Sequence, residues 1–562
     1  MTTTENPTGL RLLCAVLLPL GCLWGLGSYG LLDNNEGLYA SVALDMLHGG
    51  TLIIPHLNGV PYLEKPPLLY WLTALSIRAL GENEFAARLP VALSTLLLAL
   101  AMMRFLTKHA GGRAGTIAGL VVATSPVILV IGRTVYCDML MTAALSIALM
   151  AFYLWYAAGC RRWLVFCYAM VGAAVMAKGI VAAALAGGTG LLFLLLENNG
   201  KRFVQALDPL AIAAFLLIVA PWHIAAALQD KNFLWFYFIN EHVLRFLGNR
   251  QPHDYYHGPV WYYLIRLPLY LFPWAIAWLP LWGHRMQWHG PAPAGEALLK
   301  RFLWTWFLFI FIFFSLSRAK ANYYMVAGMP PLVMLTALHI DLAVRHRQWH
   351  SLWRGGLAAL AATSAFIIAT PWISHIKPRD TGALTGILAS LVFHRDILLP
   401  VCVLSLGLFV CWRWRRSPDA ALLLFCIPAG VLLPLLLTVA QLGEPVISQK
   451  PTILFLKAHA PTESIAVYRD FEEISSLAFY AGRPLAIVDS ASNDLAYGRE
   501  HGQRPDLFPT LPQWLARPPG HGGALIVRHY YLRDLQRRLA TLSAPPLCLV
   551  KQYQMVSIFK RC

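Results

Sequence analysis

Residues 33–67 read DNNEGLYASVALDMLHGGTLIIPHLNGVPYLEKPP and form a polar, charged segment between two long apolar stretches. The chain has 562 residues, of which 58% are hydrophobic and only 13% are charged. Soluble domains carry roughly 25% charged residues, so this composition indicates a chain that crosses a membrane several times. The quoted segment therefore lies at a membrane surface, as either a solvated loop or a reaction site.

The apolar stretches on either side predict an all-α polytopic membrane protein. A membrane-spanning helix needs about 20 apolar residues. By that criterion we expect about 13 transmembrane helices, centred near residues 20, 97, 122, 148, 170, 188, 217, 272, 309, 331, 364, 404 and 431. The first is too long for the apolar core of a signal peptide, so we expect it to be retained.

Basic residues cluster in alternate connections between these spans: Arg104, Lys108 and Arg113; Arg161 and Arg162; Lys201 and Arg202; Arg285, Lys300 and Arg301; Arg345, Arg347 and Arg354; Arg413, Arg415 and Arg416. Positively charged connections face the cytoplasm. With an odd number of spans, the N-terminus is cytoplasmic, whereas the first loop (residues 33–85) and the tail (residues 443–562) lie outside the cytoplasm.

The tail differs from the membrane-like part, residues 1–442. Strand-like runs at 464–469, 484–489, 523–528 and 547–553 alternate with helical runs at 472–482 and 533–542, which predicts a small α/β domain. Cys548 and Cys562 flank two short β-like runs. They either face each other across a hairpin as a disulfide, if the tail is outside the cytoplasm, or remain free thiols.

Three carboxylates lie at the edges of apolar stretches, where a charged side chain is costly unless it is paired or functional. Asp33 and Glu36 precede the apolar repeat of Leu38, Val42 and Met46, so one interpretation is a helix cap with Glu36 as the reciprocal partner. The other is that a carboxylate here activates an acceptor group or binds a metal. Asp138, at the outer start of the fourth span, is either functional or paired with a nearby arginine.

Two groups of cations suit an anionic ligand. Lys65 in Tyr62-Leu63-Glu64-Lys65-Pro66-Pro67 is held by two prolines that fix the chain direction, so it could bind a phosphate as a point charge. The alternative is an ordinary interfacial lysine. Residues 315–324 present two cations and two tyrosines, which suit an anionic headgroup or belong to the interface belt.

The loop after the seventh span combines acidic, basic and aromatic residues. His253 and His257, with a carboxylate such as Glu64, could bind a divalent metal. The spacing is loose and no cysteine joins it, so aromatic interface anchoring is the alternative. No cofactor is otherwise expected, and no feature of the chain predicts nucleic-acid binding.

Several of these motifs together resemble one enzyme family: NEGLYA at 35–40, IPHLNGVPYLEKPPLLYWLTAL at 54–75, GENEFAARL at 81–89, RTVYCDMLMTA at 133–143, NEHVLRFL at 240–247 and SRAKANYYMVAGMPPL at 317–332. The chain is similar, over roughly residues 10–440, to the ArnT-like lipid A aminoarabinose transferases of the protein mannosyltransferase superfamily. The resemblance implies the membrane-embedded GT-C fold with a periplasmic tail, in a bacterial inner membrane.

The resemblance also implies a reaction. A sugar would move from undecaprenyl phosphate to lipid A, or to a related glycolipid or glycan, at the periplasmic face, with inversion at the anomeric carbon. The donor phosphate would be bound by Lys65, Arg250, Lys320 and Tyr324. The catalytic and acceptor-side acids would be Asp33, Glu36, Glu64 and Asp138, and further substrate contacts would come from Tyr39, Tyr62, Arg133, His242 and Arg318.

The chain departs from the family at one place. Where the family shows Asp-Glu-x-Arg-Tyr-Ala, this chain has Asn35, Glu36 and Leu38, and an asparagine cannot act as a base. Asp33 or Glu36 would then take that role, or the acceptor needs no base. A protein O-mannosyltransferase is the alternative enzyme. A lipid or solute transporter is the alternative of another class, although the charges gather at one membrane face rather than at midplane.

Overall fold

The computed structural model describes residues 8–253, 258–279, 294–346, 348–373, 407–409, 412–413, 417–459, 464–517, 523–544 and 546–562. These residues separate into two compact units. The membrane unit takes in Met1–Leu26, Leu89–Ile373 and Ala389–Leu436, as far as these are described. The loop–tail unit takes in Gly27–Arg88 and Leu437–Cys562 within the same described ranges.

The membrane unit is helical. Its α-helices are Thr8–Leu23, most of Glu84–Ala110, Gly112–Thr124, Pro126–Ile131, Cys137–Ala158, Arg161–Lys178, Val181–Leu196, Gly200–Ala206, Pro209–Gln229, Arg245–Leu247, Tyr262–Tyr270, Ala294–Leu316, Met329–Arg345, Trp349–Ile373 and most of Pro418–Leu442. A π-helix, Trp235–Leu244, and two 3₁₀ helices, Trp274–Trp278 and Asn322–Gly328, complete it.

Six of the helical segments among the described residues are long and apolar enough to cross a membrane: Glu84–Ala110, Cys137–Ala158, Pro209–Gln229, Gly295–Leu316, Asn322–Arg345 and Pro418–Leu442. They coincide with the spans predicted near residues 97, 148, 217, 309, 331 and 431. The chain is therefore a multi-pass membrane protein. The predicted span near residue 404 lies outside the described residues, and the count of thirteen stays a prediction.

Some of the other predicted spans are shorter helices. Thr8–Leu23 and Val181–Leu196 are apolar but have 16 residues each. The span predicted near residue 272 is a nine-residue helix, Tyr262–Tyr270, followed by the 3₁₀ helix Trp274–Trp278. Pro273 lies directly before the 3₁₀ helix and lacks the N–H that a continuous α-helix requires.

Aromatic rings fill the interior of the membrane unit. Phe193 and Phe302 lie edge to face with ring centroids 5.0 Å apart. Trp274 stacks on Phe425 at 5.0 Å, and its indole N–H donates to the hydroxyl of Thr124 over 2.7 Å. These contacts join segments far apart in sequence, and the indole is buried with its polar group satisfied.

The first loop folds into two helices and a hairpin. Apolar residues at Leu38, Val42 and Met46 recur on one helical face, and the chain forms the predicted helix, Asn35–Gly49. A two-residue turn then joins strand β1 (His56–Leu57) to strand β2 (Val60–Pro61). The Leu68–Leu80 helix follows.

The tail contains a sheet of five strands: β3 (Ile465–Tyr468), β4 (Ala486–Val488), β5 (Ala524–Arg528), β6 (Leu547–Gln552) and β7 (Val556–Arg561). Their order in the sheet is β4-β3-β5-β7-β6. Strand β3 pairs in parallel with β4 and β5, whereas β7 runs antiparallel to β5 and to β6. The predicted strand-like runs are confirmed.

Two short α-helices, Glu444–Ile447 and Lys450–His459, precede the sheet. The strands are connected by the α-helices Ser476–Ala481, Ala496–His501, Leu511–Leu515 and Leu532–Thr541, and by the 3₁₀ helices Glu472–Ile474, Pro505–Leu507 and His529–Tyr531. On one face of the sheet, Tyr468 and Leu525 pack with Trp514 and Leu535 in a buried core. Cys548 and Cys562 form a disulfide with their Cα atoms 5.1 Å apart, so the hairpin interpretation is the one that the structure adopts.

The first loop packs directly against the tail inside the loop–tail unit. Gly37 faces the start of the Ser476–Ala481 helix so closely that an added Cβ would lie 2.4 Å from the Ser476 nitrogen and 2.5 Å from its Cα. Because those are backbone atoms, a rotamer change cannot relieve the clash. The approach of the two helices therefore requires glycine at position 37.

We expect Gly37→Ala to destabilise the protein by about 1–3 kcal/mol, because the added methyl group overpacks a helix contact made of backbone. Gly49→Ala in the same helix is the matched control, since an added Cβ there would have no neighbour nearer than 4.0 Å. The measurement is thermal unfolding of the detergent-solubilised protein. Equal unfolding temperatures for the two variants would contradict the expectation.

Candidate functional site

Lys65 lies in the loop–tail unit immediately before a helix. Its side chain is only 12% exposed, and its ammonium donates to the Glu64 carbonyl over 3.1 Å and lies 3.8 Å from the Glu64 carboxylate. Pro67 is the N-terminal boundary residue of the Leu68–Leu80 helix, whose first backbone N–H groups carry partial positive charge. A lysine and a helix N-terminus at adjacent positions together favour an anion.

Glu36 forms a fully buried ion pair with Arg88. The guanidinium donates to both carboxylate oxygens, Nε to Oε1 over 2.9 Å and Nη2 to Oε2 over 2.8 Å. Arg88 also donates to the carbonyls of Tyr29 and Gly30 at 2.9 Å each and lies over the Tyr29 ring. Glu36 Oε2 further accepts from the Leu32 N–H. This carboxylate holds the loop together.

Asp33 joins the first loop to the tail. One carboxylate oxygen accepts from the Ser476 hydroxyl over 2.6 Å and its N–H over 3.1 Å, and the other accepts from the Gln449 amide over 2.9 Å. The helix-cap interpretation is wrong. The N-terminal boundary residue of the Asn35–Gly49 helix is Asn34, and no side chain caps that helix end.

In the membrane unit, Asp138 pairs with Lys178. Two residues separate the helices Cys137–Ala158 and Arg161–Lys178, so the chain reverses and returns Lys178 to the level of Asp138. Both are buried, and the Lys178 ammonium donates to Asp138 Oδ1. The same ammonium lies 4.3 Å from the centre of the Tyr324 ring, a cation–π contact.

Arg250 belongs to a second buried cluster of the membrane unit. Its Nε donates to Glu241 Oε1 over 2.6 Å, while Arg245 donates to Glu241 Oε2 over 3.1 Å. Asn240 exchanges two hydrogen bonds with the backbone of Gln251, which fixes the loop that carries Arg250. Two arginines on one carboxylate leave net positive charge, which suits an anionic ligand.

Lys320 and Arg318 follow the Ala294–Leu316 helix. The Lys320 ammonium is buried and donates to the carbonyls of Phe314, Ser315 and Ser317, so its three donors satisfy the helix C-terminus. The Arg318 side chain is exposed and lies against Gly248. The predicted phosphate role of Lys320 would require these carbonyls to be released.

The four remaining predicted contacts are divided between the two units. In the loop–tail unit Tyr39 and Tyr62 are buried, and the Tyr39 ring centroid lies 6.0 Å from that of Tyr70. In the membrane unit the Arg133 guanidinium donates to the carbonyls of Gly21 and Trp24. His242 contacts the Tyr237 carbonyl through Nδ1 at 2.6 Å.

The chain is similar to known glycosyltransferases. Residues 64–224 match the family described as dolichyl-phosphate-mannose-protein mannosyltransferase. The undecaprenyl phosphate-alpha-4-amino-4-deoxy-L-arabinose arabinosyl transferase of Pectobacterium carotovorum is 28% identical over 97% of this chain and 95% of that protein. A transferase of the same description, numbered 2, from Pseudomonas fluorescens is 27% identical over 92% of each.

The chain is similar to the ArnT-type arabinosyl transferases over nearly its whole length.

Its fold is that of a solved relative. The crystal structure of ArnT from Cupriavidus metallidurans, bound to undecaprenyl phosphate, superposes with a TM-score of 0.81 over 98% of both chains at 22% identity. The expected GT-C fold is thereby confirmed. This ArnT-like chain is a multi-pass protein of the bacterial inner membrane.

The ArnT-like chain shows no cluster of three His, Cys, Asp or Glu side chains able to hold a metal ion among its described residues. Glu64, His253 and His257 were predicted to bind a metal ion. Glu64 pairs with Lys65, and His253 belongs to no such cluster among the described residues. His257 lies outside the described residues. The metal site stays a prediction.

Three charged residues central to this geometry were not among the predicted site residues: Arg88, Lys178 and Glu241. Lys178 ends an apolar helix and so looks like a lysine reaching for lipid phosphate, which is the ordinary role of such a residue. The sequence did contain one indication of the pair: Lys178 and Asp138 lie at the two open ends of a predicted helical hairpin, which places them at the same level. Glu241 lies in the π-helix Trp235–Leu244, nine residues before Arg250, so its pairing with Arg250 depends on the loop that follows the helix.

Burial raises the pKa of Asp33 to about 7, although hydrogen bonds from Ser476 and Gln449 and the charge of Arg528 oppose the rise. The folded protein therefore binds one more proton than the unfolded chain between about pH 4 and pH 7. We expect the stability contributed by Asp33 to fall as pH rises through that window, at up to ~1.4 kcal/mol per pH unit.

The measurement is the pH dependence of unfolding free energy for the wild type and for Asp33→Asn. Because asparagine does not titrate, the variant should show a shallower decline between pH 4.5 and 7. Glu500→Gln, which removes an exposed carboxylate of the tail, is the control and should keep the wild-type slope. Parallel wild-type and Asp33→Asn curves would disprove the assignment.

Proposed function

We propose that this protein transfers a sugar from undecaprenyl phosphate to lipid A, or to a related glycolipid or glycan of the cell envelope, at the periplasmic face of the inner membrane. The observation that carries the proposal is the 28% identity over 97% of the chain to a relative named for transfer from undecaprenyl phosphate. That match includes both the segment with Lys65 and the tail.

The reaction places its main demand on the leaving group. An acceptor oxygen attacks the anomeric carbon from the face opposite the phosphate, the bond from that carbon to the phosphate oxygen breaks, and its electrons pass to the phosphate. Fixed cations lower the barrier because they stabilise the charge that develops there. Lys65, at a helix N-terminus, supplies such a charge in the loop–tail unit.

In the membrane unit, Arg250 and Tyr324 keep their predicted role toward the donor phosphate. The cluster of Arg250, Arg245 and Glu241 retains excess positive charge. Glu64 and Asp138 remain the acids proposed for the sugar and acceptor side. Each has a cationic neighbour, Lys65 for Glu64 and Lys178 for Asp138.

The first-loop motif leaves no base among Asp33, Asn35 and Glu36. Asn35 cannot take a proton, the Glu36 carboxylate is committed to Arg88, and Asp33 is committed to Ser476 and Gln449. A hydroxyl acceptor would therefore have to give its proton to Glu64 or Asp138, whereas a phosphate oxygen attacks without a base.

We further propose that the tail, residues 443–562, is a periplasmic domain and that about thirteen spans carry the chain there from a cytoplasmic N-terminus. The Cys548–Cys562 disulfide supports this orientation, since such bonds persist in the periplasm and not in the cytosol. The first loop, which packs on the tail, would lie in the same compartment.

A protein O-mannosyltransferase is the second candidate function. The observation that favours it is the match of residues 64–224 to the family described as dolichyl-phosphate-mannose-protein mannosyltransferase. The match covers the Lys65 segment and so is compatible with the same lipid phosphate chemistry. The two candidates differ in the acceptor, which is a glycolipid in one and a protein hydroxyl in the other.

We expect Lys65→Ala to reduce transfer by about a hundredfold, because one cation that stabilises the leaving phosphate is removed. The measurement is mass spectrometry of envelope lipids from cells that contain the wild type, Lys65→Ala, or no protein. The sugar-sized mass on the acceptor lipid should be lost in the last two. Lys457→Ala, which removes an exposed lysine of the tail, should leave it in place.

An envelope lipid inventory that is the same with and without expressed wild-type protein would rule out the glycolipid acceptor. If a set of proteins instead lost a hexose mass in the Lys65→Ala cells, the second candidate would replace the first. The same spectra identify the sugar and the acceptor from the mass difference.

A further inference from the structure

Both chain segments next to Lys65 are attached to the tail. On its N-terminal side, the β1–β2 hairpin ends at Pro61, four residues before Lys65. On its C-terminal side, the Leu68–Leu80 helix begins three residues after Lys65. The tail therefore reaches this lysine by two routes, one on each side of it.

On the first route, Asn58 in the turn of the hairpin forms hydrogen bonds with the tail. Its side chain is 1% exposed, its amide donates to the Leu485 carbonyl over 2.9 Å, and its amide oxygen accepts from the Leu485 N–H over 2.7 Å. The carboxamide thus satisfies both backbone groups of the residue before strand β4. Asn58 has φ +53°, a value that asparagine and glycine tolerate better than other residues.

The rest of the hairpin fits the tail closely. An added Cβ on Gly498 would lie 2.4 Å from Val60 Cγ2 and 2.7 Å from the Pro61 carbonyl oxygen. Gly59 lies against Pro484 in the same way. Tyr62 then donates its N–H to the Pro55 carbonyl over 2.8 Å, which extends the hairpin pairing toward Lys65.

The second route runs through two helices. The Leu68–Leu80 helix packs on the Asn35–Gly49 helix, where Tyr70 meets Tyr39. The Asn35–Gly49 helix in turn meets the tail at Gly37, whose backbone lies against that of Ser476. Pro66 and Pro67 join Lys65 to this helical route and restrict the backbone there.

We infer that the tail sets the position of Lys65 for the lipid phosphate, and that Asn58 is a positioning residue that acts through Lys65; this rests on the function proposed above. Asn58 itself needs no contact with the donor. A small shift of Lys65 is enough to matter, because displacing a catalytic charge by about 1 Å can reduce the rate a hundredfold. A tail that only covered the site would not need contacts with the chain segments on both sides of Lys65.

The test is a double-mutant cycle on the binding of undecaprenyl phosphate. Its dissociation constant is measured for the full-length protein in nanodiscs as wild type, Asn58→Gly, Lys65→Ala and the double variant. Glycine is chosen because it tolerates the positive φ and removes only the carboxamide. We expect Asn58→Gly to weaken binding about tenfold, and to add no further loss in the Lys65→Ala background.

Tyr530→Ala is the control on the tail, since that side chain is 80% exposed, and it should bind as the wild type does. Gly498→Ala is the second variant, should Asn58→Gly fail to fold, because it displaces the hairpin from the tail side. Independent, multiplying losses from Asn58→Gly and Lys65→Ala would overturn the inference, as would unchanged binding in both hairpin variants. A wild type that does not bind undecaprenyl phosphate would instead refute the proposed function.

Discussion

The buried ion pair between Glu36 and Arg88 closes the first loop, the segment that carries Lys65. Arg88 stands at the start of the Glu84–Ala110 helix, while Glu36, Tyr29 and Gly30 stand where the chain enters the loop. One guanidinium therefore joins the two ends of an excursion of nearly sixty residues. Removing one partner of such a pair costs about 3–5 kcal/mol, because the other charge is left buried without compensation.

Much of the architecture could be predicted from the sequence, because hydrophobic length and strand alternation are local properties. The six long apolar helices and the four predicted strand-like runs of the tail belong to this class. The β1–β2 hairpin was missed, although Asn58-Gly59 is a strong short-range hairpin pattern. A two-residue strand on each side is too short to show alternation, so the pattern had no support around it.

The candidate site was harder to predict, because the partner of a charge is a property of the folded chain. Lys65 was identified from its prolines. The partners Arg88, for Glu36, and Lys178, for Asp138, were not, since each is separated from its acid by a helix or more. Asp33 could not be paired from the sequence for the same reason, since its hydrogen-bond donors Ser476 and Gln449 lie more than four hundred residues away in the chain.

The loop–tail unit is built from two pieces of chain that are distant in sequence, and this constrains how segments can be exchanged between related proteins. Gly27–Arg88 and Leu437–Cys562 meet through specific pairs, such as the Asn58 carboxamide on Leu485 and the backbone of Gly37 on Ser476. Exchanging either piece alone between related transferases would separate side chains and backbone that fit each other in this chain. A chimera that is to keep its function must import both pieces as one cassette, even though the gene encodes them at opposite ends.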